Sequence, residues 1–212
     1  EAEKRINLTL VSAGMFGMYP KVRYIACDIN DIERLSETIA LSEPDVIAYT
    51  GRYMKGFKYG EFSYPNQIGY GVWTPMAAVL VEKVMRAVKQ AGVKSRVINT
   101  SYGDAVSPLL AARKLAPYTS AGNLNHLIPR IARAYETLTG QPAGWTDVTF
   151  AGSHYANTYI SKEGTAKGSP YLLHIGGSKP VRDCDVFKHC AIPTVSGQER
   201  NIMIASDVVM LI

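Results

Sequence analysis

The sequence predicts an α/β fold: a mostly parallel sheet with helices on both faces and a less regular C-terminal part. Three observations carry this. Short β-rich runs alternate with longer helical patterns, the order that builds β-α-β units. Helix punctuation falls where such units need it, with Pro75 at a start and Gly92 and Gly140 at stops. The 212 residues are 47% hydrophobic and 19% charged, too apolar for a disordered chain and long enough to bury a core.

Taken in order, Ile6–Val11 alternates and predicts a first strand, and Ser12–Gly17 followed by Pro20 predicts a loop. Val22–Asp28 predicts a second strand ending in an acid. Asp31 is placed to cap a helix from Ile32 to about Ser42, with Leu35, Ile39 and Leu41 on or near one face, and Pro44-Asp45 breaks it. Val46–Thr50 is a short apolar strand closed by Gly51. Arg52–Gly71 is a Gly/Tyr/Lys-rich loop, of the length that in compact domains serves function. Thr74-Pro75 opens the strongest helix. Met76, Val79, Leu80, Val84 and Val88 form its apolar stripe, with Lys83, Arg86 and Lys89 opposite. Arg96–Thr100 is a strand, Ser107–Lys114 a short helix, Leu127–Leu138 a longer one and Thr146–Ala151 a strand. After Gly164 the turns at Gly168-Ser-Pro170, Gly176-Gly177 and Lys179-Pro180 obscure the pattern. The expected division is an α/β domain over 1–140 and an α+β extension over 141–212. The start Glu1–Arg5, without Met, and the uncapped apolar finish Asp207–Ile212 suggest a chain cut or processed from a longer one.

The formal net charge of +5 is scattered, with no run of five like charges. That suits a small anionic ligand and not nucleic acid, which calls for clustered Lys and Arg with interleaved aromatics. Apolar runs such as Met76–Val81 are far below the roughly 20 residues of a membrane span. Three sparse cysteines argue against a disulfide framework and for a reducing, cytoplasmic setting. A small anionic substrate, no membrane and a homo-oligomeric state are expected.

In parallel sheets ligands sit at the carboxyl ends of the strands. Four places qualify: Asp28, Thr50-Gly51-Arg52, Asn99-Thr100-Ser101 and Gly152-Ser153-His154. Any one of them alone reads as an ordinary turn; their recurrence is the argument. Asp28 suits either a ribose hydroxyl or a helix cap. His154 suits either a proton donor/acceptor working near neutrality or a solvated loop histidine. Asn99 can hold a substrate oxygen without adding charge. His126 opens a helix and reads as a cap or surface residue. Cys184, His189 and Cys190 form one loose cluster without a second half, so no metal is assigned. No P-loop, nucleophile elbow or G-x-G-x-x-G is present; Gly14-Met-Phe-Gly17 supplies only G-x-x-G.

Thr50–Ser161 resembles, distantly, the lactate/malate dehydrogenase superfamily. The matching order is Thr50-Gly51-Arg52 with a Lys/Gly loop, the helix from Thr74 to Gln90, Ile98-Asn99-Thr100, Gly122-Asn-Leu-Asn125 with Arg130, then Gly152-Ser-His154. The resemblance implies a Rossmann-like fold and an NAD- or NADP-dependent oxidoreductase acting on a small hydroxy/oxo anion. It makes His154 the proton donor/acceptor and places Asn125 where the family has a His-orienting aspartate. Asn99 would touch nicotinamide or substrate oxygen, and Arg52 and Arg130 would clamp a carboxylate with Lys55 nearby. Thr50, Gly51 and Asp28 fall on the cofactor side. Tyr155 replaces the family's glycine after the histidine. The first 50 residues instead resemble extended short-chain dehydrogenases and epimerases, whose Tyr-x-x-x-Lys pair is absent: Tyr155 has Tyr159 four residues on. A sugar-nucleotide epimerase and a non-catalytic Rossmann-like interaction domain are the rival readings.

Overall fold

The computed structural model describes residues 2–53, 70–194 and 201–212. Within them the elements are α1 (Ala2–Met15), α2 (Ile32–Ser42), β1 (Val46–Tyr49), α3 (Thr74–Ala91), β2 (Arg96–Asn99) and α4 (Gly103–Ala111). There follow β3 (Thr119–Ser120), α5 (Leu127–Thr139), β4 (Asp147–Gly152), α6 (His154–Glu163), β5 (Tyr171–Gly176), α7 (Asp183–Cys190) and α8 (Asn201–Met210). Most of the expected Arg52–Gly71 loop, Lys55 included, lies outside the described residues.

The first sheet is parallel, in the order β1-β2-β3. Its register, Ile47 beside Val97 and Ala48 beside Ile98, sorts side chains by face. Ile47, Tyr49 and Val97 point into a core with α2, α3 and α4. Val46 and Ile98 point the other way, onto Ala121 and the Val208 and Leu211 side chains of α8 and its end. Helices therefore cover both faces, and Val97 and Ile98 of β2 are buried on opposite faces of the sheet.

α3 forms because Thr74-Pro75 pre-sets its first turn and Gly92 closes it in the left-handed conformation. Leu80, Val81, Val84 and Val88 lie on its buried face, each stabilising by about 1.5–3 kcal/mol. α2 is capped as expected, the Asp31 carboxylate accepting the Arg34 N–H at 3.0 Å.

A second core joins Leu127, Ile131 and Ala134 of α5 with Ala156 and Ile160 of α6 and Val186, Phe187 and Cys190 of α7. They cover one face of the antiparallel pair β4–β5, in which Asp147 faces Gly176 and Gly152 faces Tyr171. Phe150, Tyr171 and Phe187 stack there. The cores thus divide differently from a split at residue 140: α5 belongs with the second core, and α8 returns to the first sheet.

The N-terminal expectations fail. Ile6–Val11 lies inside α1, and Val22–Asp28 is exposed coil rather than a strand. No residue of α1 is buried. A strand needs a neighbour to take its backbone hydrogen bonds, whereas a helix satisfies them internally, so a segment without a sheet partner folds as a helix. α4 begins at Gly103, ahead of the expected Ser107, and Pro108 sits inside it. β5 and α7 were obscured by the surrounding turns.

Candidate functional site

Parallel pairing puts the ends of β1, β2 and β3 at one edge. At β1, Thr50 and Arg52 are exposed and Gly51 is half-buried, its position so close to the Tyr49 ring that a Cβ there would sit 2.7 Å from the Tyr49 hydroxyl. No described residue pairs with the Arg52 guanidinium.

At β2 the chain is tied down. Asn99 is fully buried. Its Nδ2 donates to the Ser101 carbonyl at 3.0 Å and its Oδ1 accepts the Ser101 N–H at 2.8 Å. The Thr100 N–H and hydroxyl both donate to the Tyr49 carbonyl, at 3.0 and 3.1 Å. Asn99 therefore fixes the turn, and the substrate contact expected of it has no open polar atom on this side chain. Tyr102 follows in the left-handed region, φ 48°, where a non-glycine residue is strained by about 1–2 kcal/mol. At β3, the Ser120 and Ser107 hydroxyls share a hydrogen bond of 2.7 Å.

Beyond β3, Gly122–His126 leads into α5. Here α8 contributes a residue the sequence reading passed over. The Asp207 carboxylate, 8% exposed, accepts the Gly122 N–H at 2.8 Å and the Asn125 Nδ2 at 2.7 Å. The signal was present: Asp207 is the one charged residue in the apolar stretch Ile202–Ile212, and a buried carboxylate demands donors.

His154 follows a strand, as expected, but that strand, β4, belongs to the second sheet. It is exposed at the start of α6, whose N-cap Ser153 accepts the Ala156 N–H at 3.1 Å. α5 has 13 residues and β4 has 6, each spanning about 20 Å. The Tyr135 hydroxyl, late in α5, donates to the Lys179 carbonyl at 2.8 Å and accepts the Lys179 N–H at 2.9 Å. That anchors the Asp147–Gly176 end of the hairpin at the C-terminal end of α5. The opposite end of the hairpin is Gly152 beside Tyr171, with His154 just beyond it.

Beside His154, Tyr155 and Tyr159 pack with ring centroids 4.5 Å apart. Lys167 Nζ lies 4.6 Å from the Tyr159 ring centroid and pairs with Glu163 at 2.8 Å. Its hydrogen bond with Tyr159 holds the Tyr155 phenol above its ordinary value.

Two expected site residues work elsewhere. Arg130 Nη1 donates to the Cys190 and Ile192 carbonyls, both at 2.9 Å, closing the C-terminal end of α7. Asp28 does not end a strand; its Oδ1 accepts the N–H and Nδ2 of Asn30, both at 2.9 Å, in a turn before α2. Cys184 is exposed and Cys190 buried, on different faces of α7. Among the described residues no group of three or more His, Cys, Asp or Glu side chains could hold a metal. No described helix is long and apolar enough to cross a membrane.

No protein-family model, curated protein or solved structure matches this chain.

Proposed function

We propose that this chain handles the substrate and the proton in an oxidoreductase-like reaction on a small anionic hydroxy/oxo acid. The observation supporting it is that the edge of the parallel sheet carries a guanidinium with no partner among the described residues (Arg52) and an amide held by a carboxylate (Asn125), while a histidine (His154) opens α6 after a strand of the second sheet. Arg52 would hold the carboxylate, Asn125 the hydroxyl, and His154 would exchange the hydroxyl proton.

The resemblance adds NAD or NADP as hydride carrier. The described residues do not fit that group. Gly14 and Gly17 lie at the C-terminal end of α1 and not between a strand and a helix start. Asp28 follows no strand, and its Oδ1 is taken by Asn30. The chemistry assigned to this chain is therefore the proton and the anion.

The test follows reduced nicotinamide while small 2-hydroxy acids are offered with NAD or NADP. Turnover that His154→Asn abolishes, with hydroxy-acid affinity nearly unchanged, supports the reading. Turnover that survives the substitution overturns it. A second reading, an interaction domain of Rossmann-like type, is favoured by one observation: the N-terminal arm exposes Leu8, Val11, Met15, Phe16 and Tyr19 without burying any residue of α1. Absence of cofactor and hydroxy-acid binding at millimolar concentration, with cofactor-independent capture of a partner chain, supports that one.

A further inference from the structure

Asp207 is the one charged side chain of α8, set among Ile204, Val208 and Leu211, and it is 8% exposed. Withdrawing a carboxylate from water is costly unless its oxygens are hydrogen-bonded. Each oxygen here takes one neutral donor, the Gly122 N–H on Oδ2 and the Asn125 Nδ2 on Oδ1. No described cation pairs with it.

The consequence falls on Asn125. A side-chain amide presents a donor on one side and an acceptor on the other, and a carboxylate can only accept. Asp207 therefore fixes which way the Asn125 amide faces: NH2 toward α8, Oδ1 away from it. Turning the amide over would set oxygen against carboxylate oxygen and lose the 2.7 Å hydrogen bond. Asn125 itself is exposed, and no described residue donates to its Oδ1.

We propose that Asn125 Oδ1 is a preset acceptor for a ligand hydroxyl at the carboxyl edge of the parallel sheet, and that Asp207, from the far end of the chain, is its positioning residue. A fixed acceptor with a negative charge behind it selects a hydrogen-bond donor and repels an anion. The ligand's hydroxyl belongs at Asn125, with its carboxylate turned away from Asp207. The site then favours a hydroxy acid over the matching oxo acid, which has no donor to offer. The choice of hydroxy acids rests on the proposed function above; the fixing of Asn125 by Asp207 does not.

The test uses the full chain labelled with nitrogen-15 and reads the Asn125 side-chain amide pair by NMR. The pair is assigned by its loss in Asn125→Asp. Lactate and pyruvate are the probes. In the wild type, lactate shifts the Asn125 pair and binds at least about tenfold tighter than pyruvate, the worth of one hydrogen bond. Asp207→Asn, whose amide can meet either side of Asn125, moves the pair without ligand and abolishes the lactate preference. Asn125→Ala removes the acceptor but leaves Asp207 in place; it abolishes the preference too, and so covers the case in which Asp207→Asn fails to fold. An Asn125 pair unmoved by Asp207→Asn overturns the positioning role. Lactate and pyruvate binding equally, or lactate shifting other resonances but not Asn125, overturns the acceptor assignment while hydroxy-acid binding stands. No binding of either acid overturns both.

Discussion

Arg130→Ala separates a ligand clamp from a structural strut. The guanidinium makes two charge-assisted hydrogen bonds of 2.9 Å, to the Cys190 and Ile192 carbonyls. The Cys190 carbonyl ends α7 and also accepts the Ile192 N–H at 2.8 Å, and the Ile192 carbonyl lies two residues beyond the helix. A hydrogen bond involving a charged group contributes about 1.5–3 kcal/mol when buried. The Cys190 contact is partly buried and the Ile192 contact exposed, so about 2 and about 1 kcal/mol are the appropriate values. The expected loss is about 3 kcal/mol, which lowers the melting temperature of a chain this size by roughly 6–12 °C. Urea or thermal unfolding followed by circular dichroism measures it. Ligand affinity at the edge of the parallel sheet should not change. If the variant melts like the wild type but loses affinity for a carboxylate ligand, the strut argument is wrong and Arg130 is the clamp that the sequence suggested.

Three further outcomes are expected. Gly164 closes α6 at φ 71°, and a Cβ there would lie 2.9 Å from the Lys188 Cα and 3.1 Å from the Phe187 carbonyl; Gly164→Ala should cost about 2–4 kcal/mol, read by denaturant unfolding. Burial pushes the Cys190 thiol up to about 12, against the opposing charge of Arg130. Iodoacetamide followed by mass spectrometry should therefore label exposed Cys184 in the native protein and Cys190 only after unfolding. The hydrogen bond from Arg182 holds the Asp185 carboxyl below its ordinary value. Its small contribution is complete above the ordinary carboxylate range and is lost as pH falls through the depressed native value, so the stability gap between wild type and Asp185→Asn should close in acid.

Much of the fold was legible because local signals and tertiary context agree. Asp31, Thr74-Pro75, Gly92 and Gly140 mark helix ends by chemistry that acts within one turn, and the structure puts the ends there. The short β-rich runs at Val46 and Arg96 could be read as strands because turn and helix-ending residues bound them, Pro44-Asp45 and Gly51 around the first and Gly92 before the second. Ile6–Val11 carried the same strand-like alternation and became a helix, since pairing depends on a neighbour that alternation does not name. Tyr171–Gly176 does alternate, with Tyr171, Leu173 and Ile175 turned to the core, but turns on either side hid it.

The candidate site was legible only as residue types at strand ends. The sequence determined by itself that polar and glycine residues follow the apolar strands, because each follows its strand directly in the chain. It could not determine how those residues are used. Asn99 and Asn125 look alike as letters, yet one is consumed by Ser101 and the other is held by a carboxylate 82 residues away. Arg130 stands in the place of a ligand clamp, and the carbonyls that take up its Nη1 lie 60 and 62 residues on. Hydrogen-bond capacity is a property of the residue, and the partner that spends it is a property of the fold.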